Sequence, residues 1–170
     1  MSKLIAYSGT HGTGKTTSTY TTAHHLKHLN RNKSIHVLVD QEALSPFTIN
    51  QTATEEGQLW LFTNKIQYEL FLLNKFDIVI TDRTIIDIIA YTKYLKFHSL
   101  AEMMFTVAQE YIYRYSKITF KKIKTNEFWY PDGIRDTRDC HFRKTVELIL
   151  SEYYQHLTQS RNFIGELNYE

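Results

Sequence analysis

The sequence predicts an α/β fold, a three-layer sandwich with a mostly parallel sheet and a mobile lid. Three observations predict it. Short β-branched runs alternate with longer stretches of helical spacing along the chain. The first run leads straight into Gly9-Thr10-His11-Gly12-Thr13-Gly14-Lys15-Thr16, a complete G-x-x-x-x-G-K-[ST] phosphate-binding loop. Charged residues follow two later runs, at Asp40-Gln41-Glu42 and Asp82-Arg83-Thr84. A parallel sheet places its ligand crevice beyond those strand ends.

Each element has its own justification. Residues 3–8 read as a buried strand. Residues 15–29 read as the first helix in spite of their threonines, because loop and helix must be continuous for a helix N-terminus to face a phosphate. Ile35 to Val39 is a second β-branched run, followed by a loop with Pro46. Leu59, Phe62, Ile66, Leu70 and Leu73 recur at helical spacing and predict an amphipathic helix over 59–73, its apolar stripe turned to the core. Residues 76–81 form a third strand, 85–95 and 100–115 two helices, and 118–120 a short strand. The polar stretch 121–138, with Pro131 and Gly133, reads as the lid. Helical spacing returns over 142–157, and Phe163 and Ile164 are candidates for a last strand. No repeat, low-complexity segment or linker interrupts the series, which predicts one domain over 1–170.

Composition narrows the function classes. At 42% hydrophobic residues the chain fits a globular protein with a real core. No apolar run is long enough to cross a bilayer, and the chain opens directly into a strand, so no membrane partner and no signal peptide are expected. A single cysteine, Cys140, rules out an internal disulfide framework and fits a cytoplasmic location. The net charge of +2, from 20 basic and 18 acidic residues, lacks the cationic excess of a protein that lives on nucleic acid. His24 and His28 share a helix face but lack a third ligand, so they read as solvated.

The candidate site residues cluster after the strands. Gly9, Gly12 and Gly14 let the backbone approach phosphates without a Cβ in the way. With Thr10, His11, Thr13, Lys15, Thr16 and Thr17 they make the candidate set for binding the phosphate chain of a cofactor. Lys15 reaches β- and γ-phosphate oxygens, and the Thr16 hydroxyl suits Mg²⁺. After strand two, Glu42 first and Asp40 second are candidates for general base or substrate anchor; the same carboxylates also read as a solvated turn. After strand three, Asp82 reads as the metal-side acid and Arg83 as a fork for substrate oxygens, or the two as a structural pair capping the next helix. Asp87, one turn along the next helix, would orient Arg83 or contact substrate, or else lie on the surface as a helical Asp more often does. Gln58 would read a base or amide edge, and Trp60 and Phe62 either stack on a ring or fill the core. Lys121, Lys122, Lys124, Arg135, Arg138 and Arg143 make a basic loop that either closes on the transferring group or stays solvated. Its sharpest piece is Asp132-Gly133-Ile134-Arg135, with Arg135 as the candidate catalytic cation.

The motif order resembles the P-loop nucleoside and nucleotide kinase superfamily over about residues 3–157. The likeness is strongest to the small AAA-type ATP-binding domain shared with the ribosylnicotinamide kinase part of bacterial NAD-biosynthesis regulators, a domain many phage proteins carry. It is looser to deoxynucleoside kinases and thymidylate kinase. It implies that residues 9–16 hold ATP phosphates, that Glu42 accepts or orients the acceptor hydroxyl, and that Arg83 stands beside that hydroxyl. It implies a base-reading role for Gln58 and lid roles for Arg135 and Arg138. Where those kinases carry Glu-Pro, this chain has Asp40-Gln41-Glu42-Ala43.

The expectation is therefore an ATP- and Mg²⁺-dependent kinase acting on a nucleoside, nucleotide or related small hydroxyl compound. Two rivals stand beside it. One is a polynucleotide kinase, not favoured by the charge balance; the other is a nucleotide-binding switch that hydrolyses ATP slowly. A mechanochemical motor needs more chain than is present. The apolar helices 59–73 and 84–97 leave a homodimer open.

Overall fold

The computed structural model describes residues 2–39, 41–49, 52–124, 140–159 and 165–170. Five strands form one sheet in the order β2-β3-β1-β4-β5: β1 (Lys3–Ser8), β2 (Ile35–Leu38), β3 (Ile78–Asp82), β4 (Tyr115–Phe120) and β5 (Glu166–Tyr169). Every pairing is parallel. The helices are α1 (Lys15–Leu29), α2 (Glu55–Leu73), α3 (Ile85–Tyr94), α4 (His98–Tyr111) and α5 (Cys140–Gln159).

The register positions the site. Tyr7 of β1 lies level with Asp82 of β3, and Ser8 level with Phe120 of β4. The phosphate loop, the Asp82-Arg83 segment and Lys121 therefore leave the sheet together, at the carboxyl ends of its strands. Successive strand residues point to opposite faces. The Tyr7 hydroxyl pairs with Thr22 of α1 at 2.6 Å, whereas Tyr154 of α5 donates to Ser8 Oγ at 2.7 Å. Helices α1 and α5 thus cover opposite faces, which gives the three layers. Strands β1 and β3, neighbours in the sheet, send their following helices to different faces, and a crevice opens between them. The core on the α5 side encloses Leu4, Val79, Ile85, Ile89, Ile118 and Leu150 fully, with Tyr115, Phe120 and Tyr154 among them.

The elements depart from the sequence expectation chiefly at α2, around β4 and at the last strand. Helix α2 begins at Glu55, four residues early, because Thr54 caps it by accepting from the Gly57 N–H at 3.2 Å. Glu55 and Glu56 in its first turn complement the helix dipole. Its buried stripe is Gln58, Phe62, Lys65, Glu69 and Leu72, while Leu59 and Leu70 remain 39% and 38% exposed. The expected apolar stripe is rotated because Lys65 and Glu69 neutralise each other inside. Helix α4 stops at Tyr111, and β4 starts at Tyr115 after a 3-10 turn over Ile112–Arg114. The Tyr115 ring is anchored in the core, with its hydroxyl on Glu69 at 2.9 Å. The last strand is Glu166–Tyr169; residues 163 and 164 lie outside the described residues.

Among the described residues no helix is long and apolar enough to cross a membrane. The rings of His24 and His28 touch at 4.7 Å, and no group of three His, Cys, Asp or Glu side chains is placed to hold a metal ion among the described residues.

Candidate active site

The chain turns sharply after Ser8. Gly9, Gly12 and Gly14 have φ of 139°, 71° and 73°, backbone conformations that a side chain strains. At Gly9 the demand is doubled, since a Cβ there would stand 2.4 Å from the Lys121 carbonyl oxygen. Gly14 is the N-cap of α1; no side chain caps that helix and no acid lies in its first turn. Helices α2 and α3 differ, each with a threonine cap and acids in the first turn. No side chain caps the first N–H groups of α1, and the helix dipole favours an anion there.

Lys15 is buried, its ammonium donating to the Thr10 carbonyl at 2.7 Å across the loop. Thr13 donates to the same carbonyl at 3.0 Å. The loop is also held from behind. Asp87 Oδ1 accepts from the Gly9 N–H at 2.9 Å, Tyr91 accepts from the His11 N–H at 3.2 Å, and Arg143 Nε donates to the His11 carbonyl at 3.1 Å. Lys121 reaches over the start of α1 to donate to Ser18 Oγ at 2.6 Å. Thr17 is exposed on the outer side of α1.

The Thr16 hydroxyl donates to Asp82 Oδ2. Asp82 Oδ1 is buried with no hydrogen-bond partner among the described residues. An orphaned carboxylate oxygen is costly unless something is meant to sit against it. With the Thr16 hydroxyl beside it, the donor set consists of hard oxygens, which suits Mg²⁺. The residues present fit that ion.

Opposite stands an ion pair, Glu42 Oε1 to Arg83 Nε at 2.5 Å. Glu42 sits in a 3-10 turn over Gln41–Leu44 at the end of β2. Arg83 adopts φ of 72°, an uncommon conformation for a residue with a Cβ, worth about 1–3 kcal/mol of strain. Its N–H donates to the Tyr7 carbonyl at 2.8 Å, and its guanidinium lies 5.1 Å from the Tyr91 ring centre. Burial disfavours the charged guanidinium; Glu42 first, then Tyr91, Asp82 and Asp87, more than offset this and hold it more firmly protonated than usual.

The structure brings together the phosphate loop, Thr16, Asp82, Arg83 and Glu42. It places others elsewhere. Asp87 supports the loop rather than facing a substrate: it is fully buried, and besides Gly9 it accepts from the Thr84 N–H at 2.7 Å and the Thr84 hydroxyl at 2.8 Å. Arg143, expected as a lid cation, is buried under the loop. Gln58 is buried between α2 and α3, its amide oxygen accepting from Thr92 at 3.1 Å. Trp60 is half-buried with its ring 6.5 Å from Phe47, and Phe62 belongs to the core. Asp40, Arg135 and Arg138, with most of the expected lid, lie outside the described residues.

Sequence reasoning missed Tyr91, which touches both His11 and Arg83, and Tyr154, which links Ser8 to Thr84. It also missed the buried Lys65–Glu69 pair. For Asp87 a signal existed, since Thr84 and Asp87 are spaced as a capping box.

The parallel sheet, glycine loop and uncapped α1 define an α/β phosphate-loop domain. A model of the AAA domain family matches residues 4–166, nearly the whole sequence, and the chain belongs to that family. No curated protein matches the sequence. Among solved structures the fold is similar to thymidylate kinase from Ehrlichia chaffeensis, at 17% identity and TM-score 0.62, covering 99% of this chain and 92% of that one. It is similar to a NadR protein in complex with NR, at 16% identity and TM-score 0.66, covering 99% of this chain but 45% of that one. Deoxyadenosine kinase from M. mycoides, seen with dCMP and dCDP, aligns at 12% identity and TM-score 0.64 over 98% of this chain and 88% of that one. These likenesses establish the P-loop kinase fold.

Proposed function

We propose that the protein is an ATP-dependent phosphotransferase whose acceptor is a nucleoside, nucleotide or related small hydroxyl compound. The observation that carries this reading is the Glu42–Arg83 pair at the same end of the sheet as the phosphate loop, beyond the carboxyl ends of the strands. A nucleotide-hydrolysing switch has no need of an acid–arginine pair, its arginine buried, across the crevice. A kinase needs a group to take the acceptor's proton and a cation beside the acceptor oxygen. The names of the thymidylate and deoxyadenosine kinases support the nucleoside and nucleotide class.

Lys15 leaves the Thr10 carbonyl for oxygens of the terminal phosphates, and the N–H groups at the start of α1 cradle the chain. Thr16 and Asp82 would hold Mg²⁺, which supplies charge neutralisation on the phosphates. Glu42 takes the proton of the acceptor hydroxyl as that oxygen forms its bond to the γ-phosphorus and the bond to the ADP oxygen breaks. Arg83, fixed on Glu42 and Tyr91, orients the acceptor oxygen. Arg135 is assigned the closing cation on sequence grounds. Because both carboxylate and guanidinium are preset, little ordering remains at the moment of transfer.

The test is γ-labelled ATP with a panel of nucleosides and nucleotides. Label on an acceptor, lost in Glu42→Gln while ATP still binds, supports the reading. Tight ATP·Mg²⁺ binding with no labelled acceptor, and with binding to a protein partner that depends on ATP, would replace it with the switch.

A further inference from the structure

Helix α2 carries a buried charge pair that the mechanism above does not use. Lys65 is 2% exposed and Glu69 fully enclosed, one turn apart, with Nζ to Oε1 at 3.4 Å. Glu69 also accepts from Tyr111 at 2.9 Å and from Tyr115 at 2.9 Å, and Tyr115 in turn accepts from the Ile85 N–H at 3.2 Å. Burial pushes the Glu69 carboxyl up, against the pull of Lys65 and the two tyrosines. Lys65 faces the site. Its ammonium donates to Thr81 Oγ1 and to the Asp82 carbonyl at 3.1 Å. Thr81 Oγ1 in turn lies 3.4 Å from the Leu38 carbonyl, at the end of β2.

One ammonium therefore touches the end of β3 directly, reaches the end of β2 through Thr81 Oγ1, and reaches the start of α3 through Glu69 and then the Tyr115 hydroxyl. Those three places deliver Glu42, Asp82-Arg83 and the Thr84–Asp87 cap. A well-packed apolar pair of similar volume is usually as stable as a buried ion pair or more so. Stability alone is thus a weak reason for charges here. A left-handed arginine beside an orphaned carboxylate oxygen, by contrast, persists only where the surroundings over-determine it.

The geometry points to Lys65 as a positioning residue: its ammonium, neutralised by Glu69, ties the carboxyl end of β3 so that Asp82 presents its free oxygen beside Thr16. This rests on the assignment of Asp82 to the metal side of the nucleotide site. No part of Lys65 touches nucleotide; it acts through the Asp82 main chain.

The experiment is ATP binding by calorimetry in Mg²⁺ and in EDTA, with a thermal melt of each protein. In the wild-type protein Mg²⁺ tightens ATP roughly tenfold, within the usual range for two coupled ligands. Lys65→Met melts lower, binds ATP in EDTA within about twofold of wild type, and loses most of the Mg²⁺ gain. Lys65→Met combined with Glu69→Leu, which removes both charges, regains the melting temperature but not the Mg²⁺ gain. Lys65→Arg, keeping a charged donor against Glu69, keeps the gain. A folded Met variant or double variant with the wild-type Mg²⁺ gain overturns the proposal, as does equal weakening in EDTA and Mg²⁺, which marks a merely structural pair. A wild-type protein that binds ATP equally with and without Mg²⁺ overturns the Asp82 assignment itself, and this inference with it.

Discussion

Asp87→Asn is the substitution that best separates loop support from substrate contact. The carboxylate of Asp87 is fully buried and receives three donors: the Gly9 N–H, the Thr84 N–H and the Thr84 hydroxyl. An asparagine has one acceptor oxygen. If that oxygen stays on Thr84, which offers two donors, the amide NH₂ faces the Gly9 N–H, donor against donor. A hydrogen bond to a charged group contributes about 1.5–3 kcal/mol, and an unsatisfied buried N–H costs about 1–3 kcal/mol. Together they place the loss at roughly 2.5–6 kcal/mol. For a chain of this size each kcal/mol shifts the melting temperature by about 2–4 °C, so a fall of roughly 5–24 °C is expected. The assay is a thermal melt with and without ATP. The stabilisation by ATP should also shrink, because Gly9 leads the phosphate loop. A variant melting within about 2 °C of wild type with undiminished ATP stabilisation would refute the argument.

Three further outcomes follow from the same geometry. Gly9→Ala should weaken both fold and ATP binding, since its Cβ meets the Lys121 carbonyl at 2.4 Å in a φ of 139°; Gly14→Ala, whose Cβ meets nothing closer than 3.9 Å, should cost less. Comparing the two in urea unfolding checks this. Tyr111, Tyr115 and Tyr154 are held protonated by burial first, with Glu69 near the first two and Asp87 near the third adding to it. Their folded-state values lie above the unfolded 10.0, so the stability they carry is complete below that pH and drains away as pH climbs above it. Ultraviolet titration should show these tyrosines ionising only with unfolding, and a smooth reversible titration of all tyrosines near pH 10 would contradict that.

Much of the fold can be read from residues that interact with near neighbours. The bounds of β1 and α1 follow from the apolar run and the glycine loop, because strand, loop and helix N-terminus form one continuous local device. Asp82 and Arg83 are legible because a charge directly after a buried strand has one place to go in a parallel sheet. What fails is what depends on distant partners. Leu59 and Leu70 have the right spacing for a core stripe, yet the buried side of α2 holds Lys65 and Glu69, whose partners lie on β3, α4 and β4. Periodicity scores lysine and glutamate as surface, so it turns the helix the wrong way. The sequence points Asp87 at Arg83 or substrate; its partner Gly9 is 78 residues away, and only the folded chain brings them together. Tyr154, 146 residues from Ser8, is invisible to any local pattern.

The central claim is that a polyphosphate is gripped by the glycine loop and Lys15. Calorimetric titration of ATP into the wild-type protein and into Lys15→Ala measures it directly. Loss of one charged contact of about 1.5–3 kcal/mol predicts roughly 10- to 150-fold weaker binding in the variant. Equal affinity in the two proteins would contradict the account.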